Sequence, residues 1–114
     1  MERATNPRVK VDPILSRFRT AVSETYGDRV ERVVLFGSRA RGDASQDSDY
    51  DVAVFLRDMD NRDRLTEMNR LADMTSAILY DTGEFIEALP YSGACYDHPR
   101  MPLMYAIRTE GITL

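Results

Sequence analysis

The sequence predicts an α/β fold in which helices pack against a small β-sheet. Apolar residues recur at helical spacing in some segments and form short β-branched or aromatic runs in the segments between them. The resulting order is helix, strand, short helix, strand, helix, strand, helix, which is typical of α/β layers. The chain has 114 residues, of which 43% are hydrophobic and 30% are charged. These values indicate a single globular domain.

The first helix is predicted to begin after a polar N-terminal arm, residues 1–12. Asp12 is a suitable N-cap, and Pro13 favours the first helical position. Apolar residues then follow at helical spacing until Gly27, which is a favourable residue at which to end a helix. We therefore expect a flexible arm over 1–12 and one domain over 13–114.

Two strands are predicted on either side of a polar segment. Val33–Phe36 is a β-branched and aromatic run, which indicates a strand that is covered on both faces. The second strand, residues 49–56, alternates between the two faces of the sheet. Its even-numbered residues share one face, whereas Asp49 and Asp51 lie on the other face.

Three further elements complete the predicted fold. A long amphipathic helix covers roughly residues 63–80. The segment EFIEALPYS predicts a third strand that stops at Pro90, and a last short helix ends at Gly111. Around the start of this helix we expect an exposed apolar patch that meets a partner, formed by Met101, Leu103, Met104 and Tyr105.

Asp49 and Asp51 indicate a metal site. They lie two residues apart on a predicted strand, so their side chains point the same way and their Cα atoms are about 6.5–7 Å apart. Two carboxylates at this spacing repel each other, and a divalent cation between them relieves the repulsion. Oxygen ligands favour Mg²⁺ or Mn²⁺. The plain alternative is a turn-rich strand entry with solvated carboxylates.

The residues directly after the first strand indicate a phosphate site. Gly37 lets a phosphate approach the backbone, and Ser38 adds a hydroxyl donor at the start of a short helix whose N–H groups face an anion. Arg39 and Arg41 supply charge that suits phosphate oxygens, although a structural or solvated role fits them equally. Lys10 is the only lysine and GxGxxG is absent, which excludes the P-loop and the common dinucleotide motif.

The run FGSRARGDASQDSDYDVAVFL, Phe36 to Leu56, contains Gly-Ser, ten further residues and then Asp-x-Asp. It resembles the signature of the DNA polymerase beta-like nucleotidyltransferase superfamily, and in particular the minimal nucleotidyltransferase (MNT) domains of prokaryotes. The resemblance covers most of residues 12–114. It implies the polymerase beta-like fold, with a small mixed β-sheet flanked by helices. It also implies binding of Mg²⁺–ATP, or another nucleoside triphosphate, and transfer of the nucleoside monophosphate to an acceptor hydroxyl.

The resemblance implies that Asp49 and Asp51 are catalytic and bind metal. It also implies a nucleotide-binding turn, which is formed by Gly37, Ser38, Arg39 and Arg41. The family has a third carboxylate on a later strand, which serves as a general base or a metal ligand. We expect this carboxylate, both catalytic and metal-binding, at Glu87, or at Glu84 if the strand alignment is shifted. Glu87 also fits a simpler role, in which its charge protects an exposed strand edge.

Minimal domains of this family are often paired with a HEPN-domain protein, frequently an RNase toxin, which they neutralise as antitoxins. In some systems they transfer AMP to a tyrosine of the toxin. The resemblance therefore implies a HEPN-type protein partner and leaves homo- or hetero-oligomers open. Two alternatives stay open as well: a catalytically inactive antitoxin that covers its partner, and a module that binds nucleotide without transfer.

Charge and composition exclude other classes. The net charge of −4 argues against broad nucleic-acid binding. No apolar run approaches the roughly 20 residues that span a bilayer, and the N-terminus shows no apolar signal-peptide core. The single cysteine, Cys95, cannot form an internal disulfide. We therefore expect a cytoplasmic protein that does not interact with membranes.

Overall fold

The computed structural model describes residues 12–42 and 49–114. Residues 1–11 of the predicted arm and most of the spacer before Asp49 lie outside the described residues. The helices and strands, in chain order, are α1 (Pro13–Tyr26), β1 (Val30–Phe36), α2 (Ser38–Arg41), β2 (Tyr50–Leu56), α3 (Arg64–Thr82), β3 (Ile86–Ser92), α4 (Pro102–Glu110) and β4 (Ile112–Thr113). Short 3₁₀ turns follow α1 and β3, at Gly27–Arg29 and Gly93–Asp97. None of these helices is both long enough and apolar enough to cross a membrane.

The strands form one mixed sheet in the order β3-β2-β1-β4. β1 is antiparallel to β2 and to β4, whereas β2 and β3 are parallel and are connected by α3. The predicted α/β class with a small mixed sheet is therefore confirmed. Because β1 runs opposite to β2 and β3, the end of β1 and the starts of the other two strands meet at one edge of the sheet.

The first helix has the predicted bounds. A carboxylate oxygen of Asp12, Oδ1, accepts hydrogen bonds from the backbone N–H groups of Ile14 at 2.9 Å and Leu15 at 3.2 Å. These bonds satisfy donors that the first helical turn leaves without partners. The helix ends at Gly27, which has a φ of 54°. Asp12 thus belongs to the folded domain, although the sequence assigned it to the arm.

The predicted end of the third strand at Pro90 is wrong, because β3 continues through Pro90 to Ser92. β3 is the edge strand next to β2, and proline is tolerated on an edge strand because the lost N–H has no ladder partner to serve. The carbonyl of Pro90 accepts a hydrogen bond from Arg64 at 2.9 Å. β4 was not predicted, since two residues carry no periodicity; it forms by pairing with Val34 and Leu35.

Apolar side chains cover both faces of the sheet, as predicted from the Val33–Phe36 run, and the residues of β2 divide between the faces as their alternation predicted. The even-numbered residues of β2 pack with α1 and α3, where Phe18 and Ile78 are fully buried. On the second face, Phe55 packs with Met104 and Ile107 of α4. Burial of a large apolar side chain contributes roughly 1.5–3 kcal/mol, so both layers help to hold the sheet.

The expected exposed patch around the start of α4 is wrong in most of its members. Met104 is fully buried, and Met101 and Leu103 pack against the second-face cluster. Only Tyr105 of this group is largely exposed, at 65%. The reason is that the second face of the sheet needs an apolar cover, and α4 supplies it.

Candidate active site

β2, the residue before it and the neighbouring strand β3 place three carboxylates at one edge of the sheet. Asp51 pairs in register with Phe36 of β1 and with Glu87 of β3. Register partners on neighbouring strands lie about 4.8 Å apart and point to the same face. Asp49 precedes Asp51 by two residues. The structure therefore brings the predicted residues Asp49, Asp51 and Glu87 to the edge at which β1 ends.

The environment of Asp51 is unfavourable for its charge. Burial raises the pKa of the Asp51 carboxyl above its usual value, and the nearby carboxylates of Glu87 and Asp49 raise it further. Arg41 acts in the opposite direction. A cation bound at this edge would relieve the same repulsion.

Gly37 meets Asp51 directly. Its backbone has φ 74° and ψ −157°, a region that is essentially restricted to glycine. A Cβ atom added at Gly37 would overlap the carboxylate of Asp51. The predicted phosphate turn and the predicted metal ligand are therefore in contact with each other.

The α2 turn closes on itself after Gly37. The carbonyl of Gly37 accepts hydrogen bonds from the amides of Ala40 and Arg41, both at 3.1 Å, and the amide of Gly42 donates to the carbonyl of Ser38 at 3.0 Å. The amides of Ala40 and Arg41 are thus engaged within the turn. The predicted anion site is therefore limited to the groups before Ala40, which include the Ser38 hydroxyl.

The two arginines of α2 extend in different directions. The Arg41 guanidinium lies 3.2 Å from a carboxylate oxygen of Glu110 at the end of α4, and it also influences Asp51. The Arg39 guanidinium lies 3.9 Å from the ring centroid of Tyr50 and 3.9 Å from a carboxylate oxygen of Glu84. Arg41 is therefore the arginine on the carboxylate side of the sheet.

Tyr50 lies between the two aspartates in sequence and is 5% exposed. Its hydroxyl donates a hydrogen bond to Oδ2 of Asp12 at 2.9 Å. Burial, followed by this hydrogen bond, raises the pKa of Tyr50 to about 12, so the hydroxyl stays protonated and remains a donor at neutral pH. This link was not predicted from the sequence. The signal was the even-numbered position of Tyr50, since a buried tyrosine hydroxyl needs a partner.

The two candidates for the third carboxylate occupy different places. Glu84 precedes β3 and lies beside Arg39. Glu87 is exposed, pairs in register with Asp51 and raises the pKa of that residue. Glu87 also lies on an edge strand, so its position fits both the catalytic role and the edge-protecting role.

The donor set fits Mg²⁺ that arrives with a nucleotide. Within residues 12–42 and 49–114, no three acidic, histidine or cysteine side chains converge as metal ligands do. Mg²⁺ in proteins is usually held by only one or two carboxylates, while substrate phosphates and water complete its shell. Asp49 and Asp51 offer the oxygen donors that this arrangement requires.

The chain is similar to proteins that are named protein adenylyltransferases. A protein of Methanocaldococcus jannaschii that is named a protein adenylyltransferase is 37% identical over 51 residues, which cover 45% of this chain and 52% of the relative. A second protein of that organism, with the same type of name, is 29% identical over 75 residues and is covered to 67%. The chain thus spans about half to two thirds of the length of these relatives.

Solved structures share the fold. A protein of Sulfolobus solfataricus that is named a nucleotidyltransferase aligns over 92% of this chain and 77% of its own, with a TM-score of 0.64 and 16% identity. A toxin–antitoxin structure with AMP-PNP aligns over 86% of this chain and 69% of its own, with a TM-score of 0.59 and 17% identity. At these identities the match establishes the fold alone.

The family model described as "Nucleotidyltransferase domain" matches residues 15–96. This range begins in α1, contains the Gly37–Ser38 turn and the three carboxylates, and ends within the 3₁₀ turn after β3. It spans well over half of the chain. The chain therefore belongs to the nucleotidyltransferase domain family.

Proposed function

We propose that this protein is a nucleotidyltransferase that moves AMP from Mg²⁺–ATP to an acceptor hydroxyl on a partner protein. The contact between Gly37 and Asp51 carries this proposal, because it joins the phosphate turn to the paired carboxylates. Glu87, in register with Asp51, completes the set. A structural scaffold would not need three like charges at one sheet edge.

The reaction requires few protein groups. The acceptor oxygen forms a bond to the α-phosphorus while the bond from that phosphorus to pyrophosphate breaks. Gly37, Ser38 and Arg41 hold the β- and γ-phosphates, and Glu87 accepts the proton that the attacking hydroxyl releases. Asp49 and Asp51 would hold Mg²⁺, which supplies charge neutralisation at the phosphates when it is bound.

The proposed acceptor is a HEPN-type toxin, with this chain as the antitoxin. The names of the curated relatives as protein adenylyltransferases support a protein acceptor. The structural match to a toxin–antitoxin structure with AMP-PNP supports an adenine nucleotide and a toxin partner. The HEPN class follows from the resemblance of the Gly-Ser and Asp-x-Asp run to minimal nucleotidyltransferase domains.

A second candidate is a protein that binds and covers its partner without transfer. One observation favours it: no three potential ligands converge on a metal position within the described residues. In this case the fold would keep its binding surface while the carboxylates had lost their catalytic function.

A binding titration followed by a transfer assay tests the proposal. Wild type and Asp49→Asn/Asp51→Asn are titrated with ATP, with and without Mg²⁺, and are then incubated with labelled ATP and a co-purifying protein. We expect Mg²⁺-dependent binding and labelling of the partner by wild type, and loss of both in the double variant. Asp73→Asn, an exposed position on α3, is the matched control and should behave as wild type.

The outcomes separate the two candidates. No ATP binding by wild type would exclude the nucleotidyltransferase and favour the covering protein. Binding without labelling of any partner hydroxyl would leave a nucleotide-binding module and would exclude transfer to that partner.

A further inference from the structure

A chain of contacts links α1, β2 and α2 beside the candidate site. Oδ2 of Asp12 accepts a hydrogen bond from the Tyr50 hydroxyl, and the ring of Tyr50 lies under the Arg39 guanidinium. The other carboxylate oxygen of Asp12 caps α1. Arg39 is the second residue of α2. Three elements are thus joined through one buried tyrosine.

These contacts are well sheltered from water. Tyr50 is 5% exposed, and the Arg39 side chain is 19% exposed. A cation over an aromatic ring gains strength as water is excluded, and the same holds for a hydrogen bond to a carboxylate. The ring of Tyr50 belongs to the core on the first face of the sheet, so it is a fixed support for Arg39.

The Arg39 guanidinium contacts the side of β2 on which Tyr50 lies. Tyr50 and Asp51 are adjacent on a strand, so their side chains point to opposite faces. Arg39 lies over the ring of Tyr50. Arg41 lies on the other side, where it pairs with Glu110 and influences Asp51. A guanidinium on the Tyr50 side of β2 is poorly placed to contact phosphates that are bound on the Asp51 side.

The α2 turn needs support from outside. It has four residues, far fewer than an isolated helix requires for stability. It also begins at Gly37, whose backbone conformation is sparsely populated and persists only where the surroundings impose it. Ala40, which is buried, provides one attachment to the core.

We propose that Asp12, Tyr50 and Arg39 form a clamp that holds the α2 turn in place against Asp51. Asp12 and Tyr50 are then positioning residues, and Arg39 acts through the position of the turn rather than through a phosphate contact. The effect of the clamp on nucleotide affinity rests on the proposed function. The effect on the turn itself does not, and it can be measured in the nucleotide-free protein.

Hydrogen exchange of the amides of Ala40 and Arg41 measures the local stability of the α2 turn, because both amides donate to the carbonyl of Gly37. In the nucleotide-free protein, these two amides should exchange roughly tenfold faster in Tyr50→Leu than in wild type, and roughly threefold faster in Tyr50→Phe. Tyr91→Phe is the matched control, since Tyr91 is also buried and lies under an arginine, Arg64. Unchanged exchange in both Tyr50 variants would overturn the clamp.

Salt dependence of Mg²⁺–ATP binding separates the roles of the two arginines. Arg39→Met should weaken binding about three- to tenfold and leave its salt dependence as in wild type. Arg41→Met should weaken binding and also flatten the salt dependence, because a phosphate contact is lost. Flattening in Arg39→Met would overturn the positioning role. If wild type binds no nucleotide, the proposed function fails, while the exchange result still decides the clamp.

Discussion

The two faces of the sheet are built for different tasks. On the first face, α1 and α3 lie over the even-numbered residues of β2, and the apolar cluster extends from Tyr50 to Leu56. On the second face, α4 and the 3₁₀ turn Gly93–Asp97 cover Ala53 and Phe55, but Asp51, the next residue on that face, is only half-buried. The first face therefore carries the larger apolar cluster, whereas the second face is less covered at the edge that holds Asp51.

The unequal cover has an electrostatic consequence. On the first face the buried polar group at the same level is the Tyr50 hydroxyl, which is neutral and hydrogen-bonded to Asp12. On the second face it is Asp51, whose pKa is raised by burial and by Glu87 and Asp49. At this level of the sheet the unfavourable charge therefore lies on the second face, and charges of this kind are typical of binding sites.

The largest expected effect tests the division of stability between the faces. Phe18→Ala removes a fully buried ring from the first face and should lower the free energy of unfolding by about 3–5 kcal/mol. Met104→Ala on the second face should cost less, near the lower end of about 2–5 kcal/mol. Urea unfolding measures both. An equal or larger loss in Met104→Ala would contradict the idea that the first face is the main source of stability.

The next largest effect concerns Glu87, the candidate third carboxylate, whose substitution tests whether the sheet edge that holds Asp51 is catalytic. Glu87→Gln keeps the size of the side chain and removes its charge beside Asp51, so AMP transfer should fall on the order of 10²-fold if Glu87 acts as the base. Glu84→Gln, beside Arg39, should change the rate by less than about threefold. Rates of transfer at saturating ATP compare the two variants. The edge-protecting role of Glu87 would be favoured instead if both rates stayed near wild type.

Gly37→Ala tests the contact between the α2 turn and the carboxylate of Asp51. The backbone conformation of Gly37 makes alanine costly by roughly 1–3 kcal/mol, and the added Cβ would displace the Asp51 carboxylate. Mg²⁺–ATP affinity should therefore fall together with stability. Gly27 also has a positive φ but has open space around it, so Gly27→Ala should lose stability and keep affinity. Calorimetric titration and thermal unfolding separate the two effects.

The smallest expected effect concerns the charge of Asp51. Its pKa is raised in the folded protein, so the stability contributed by its protonated form is present below the unfolded pKa and is lost as pH rises through the folded pKa. Asp51→Asn has no such loss and should be slightly more stable than wild type at pH 7. The difference should shrink toward pH 4. Urea unfolding at both pH values measures it, and a variant that is less stable at pH 7 would contradict the assignment.

Local signals in the sequence were sufficient for most of the fold. The cap at Asp12, the stop at Gly27 and the alternation along residues 50–56 each depend on neighbouring residues, and each prediction is confirmed. The stop at Pro90 failed because the effect of proline on a strand depends on whether that strand lies at an edge, which is a property of the whole sheet.

The sequence by itself determined the chemistry of the candidate site: a glycine and a serine after one strand, two aspartates at the next, and a glutamate on a third. Only the tertiary structure decided their arrangement, because strand order and register set which side chains meet. The parallel pairing of β2 and β3 placed Glu87 rather than Glu84 beside Asp51. The packing of α1 against the sheet brought Asp12 to the Tyr50 hydroxyl, and the Arg39 guanidinium lies over the ring of the same tyrosine.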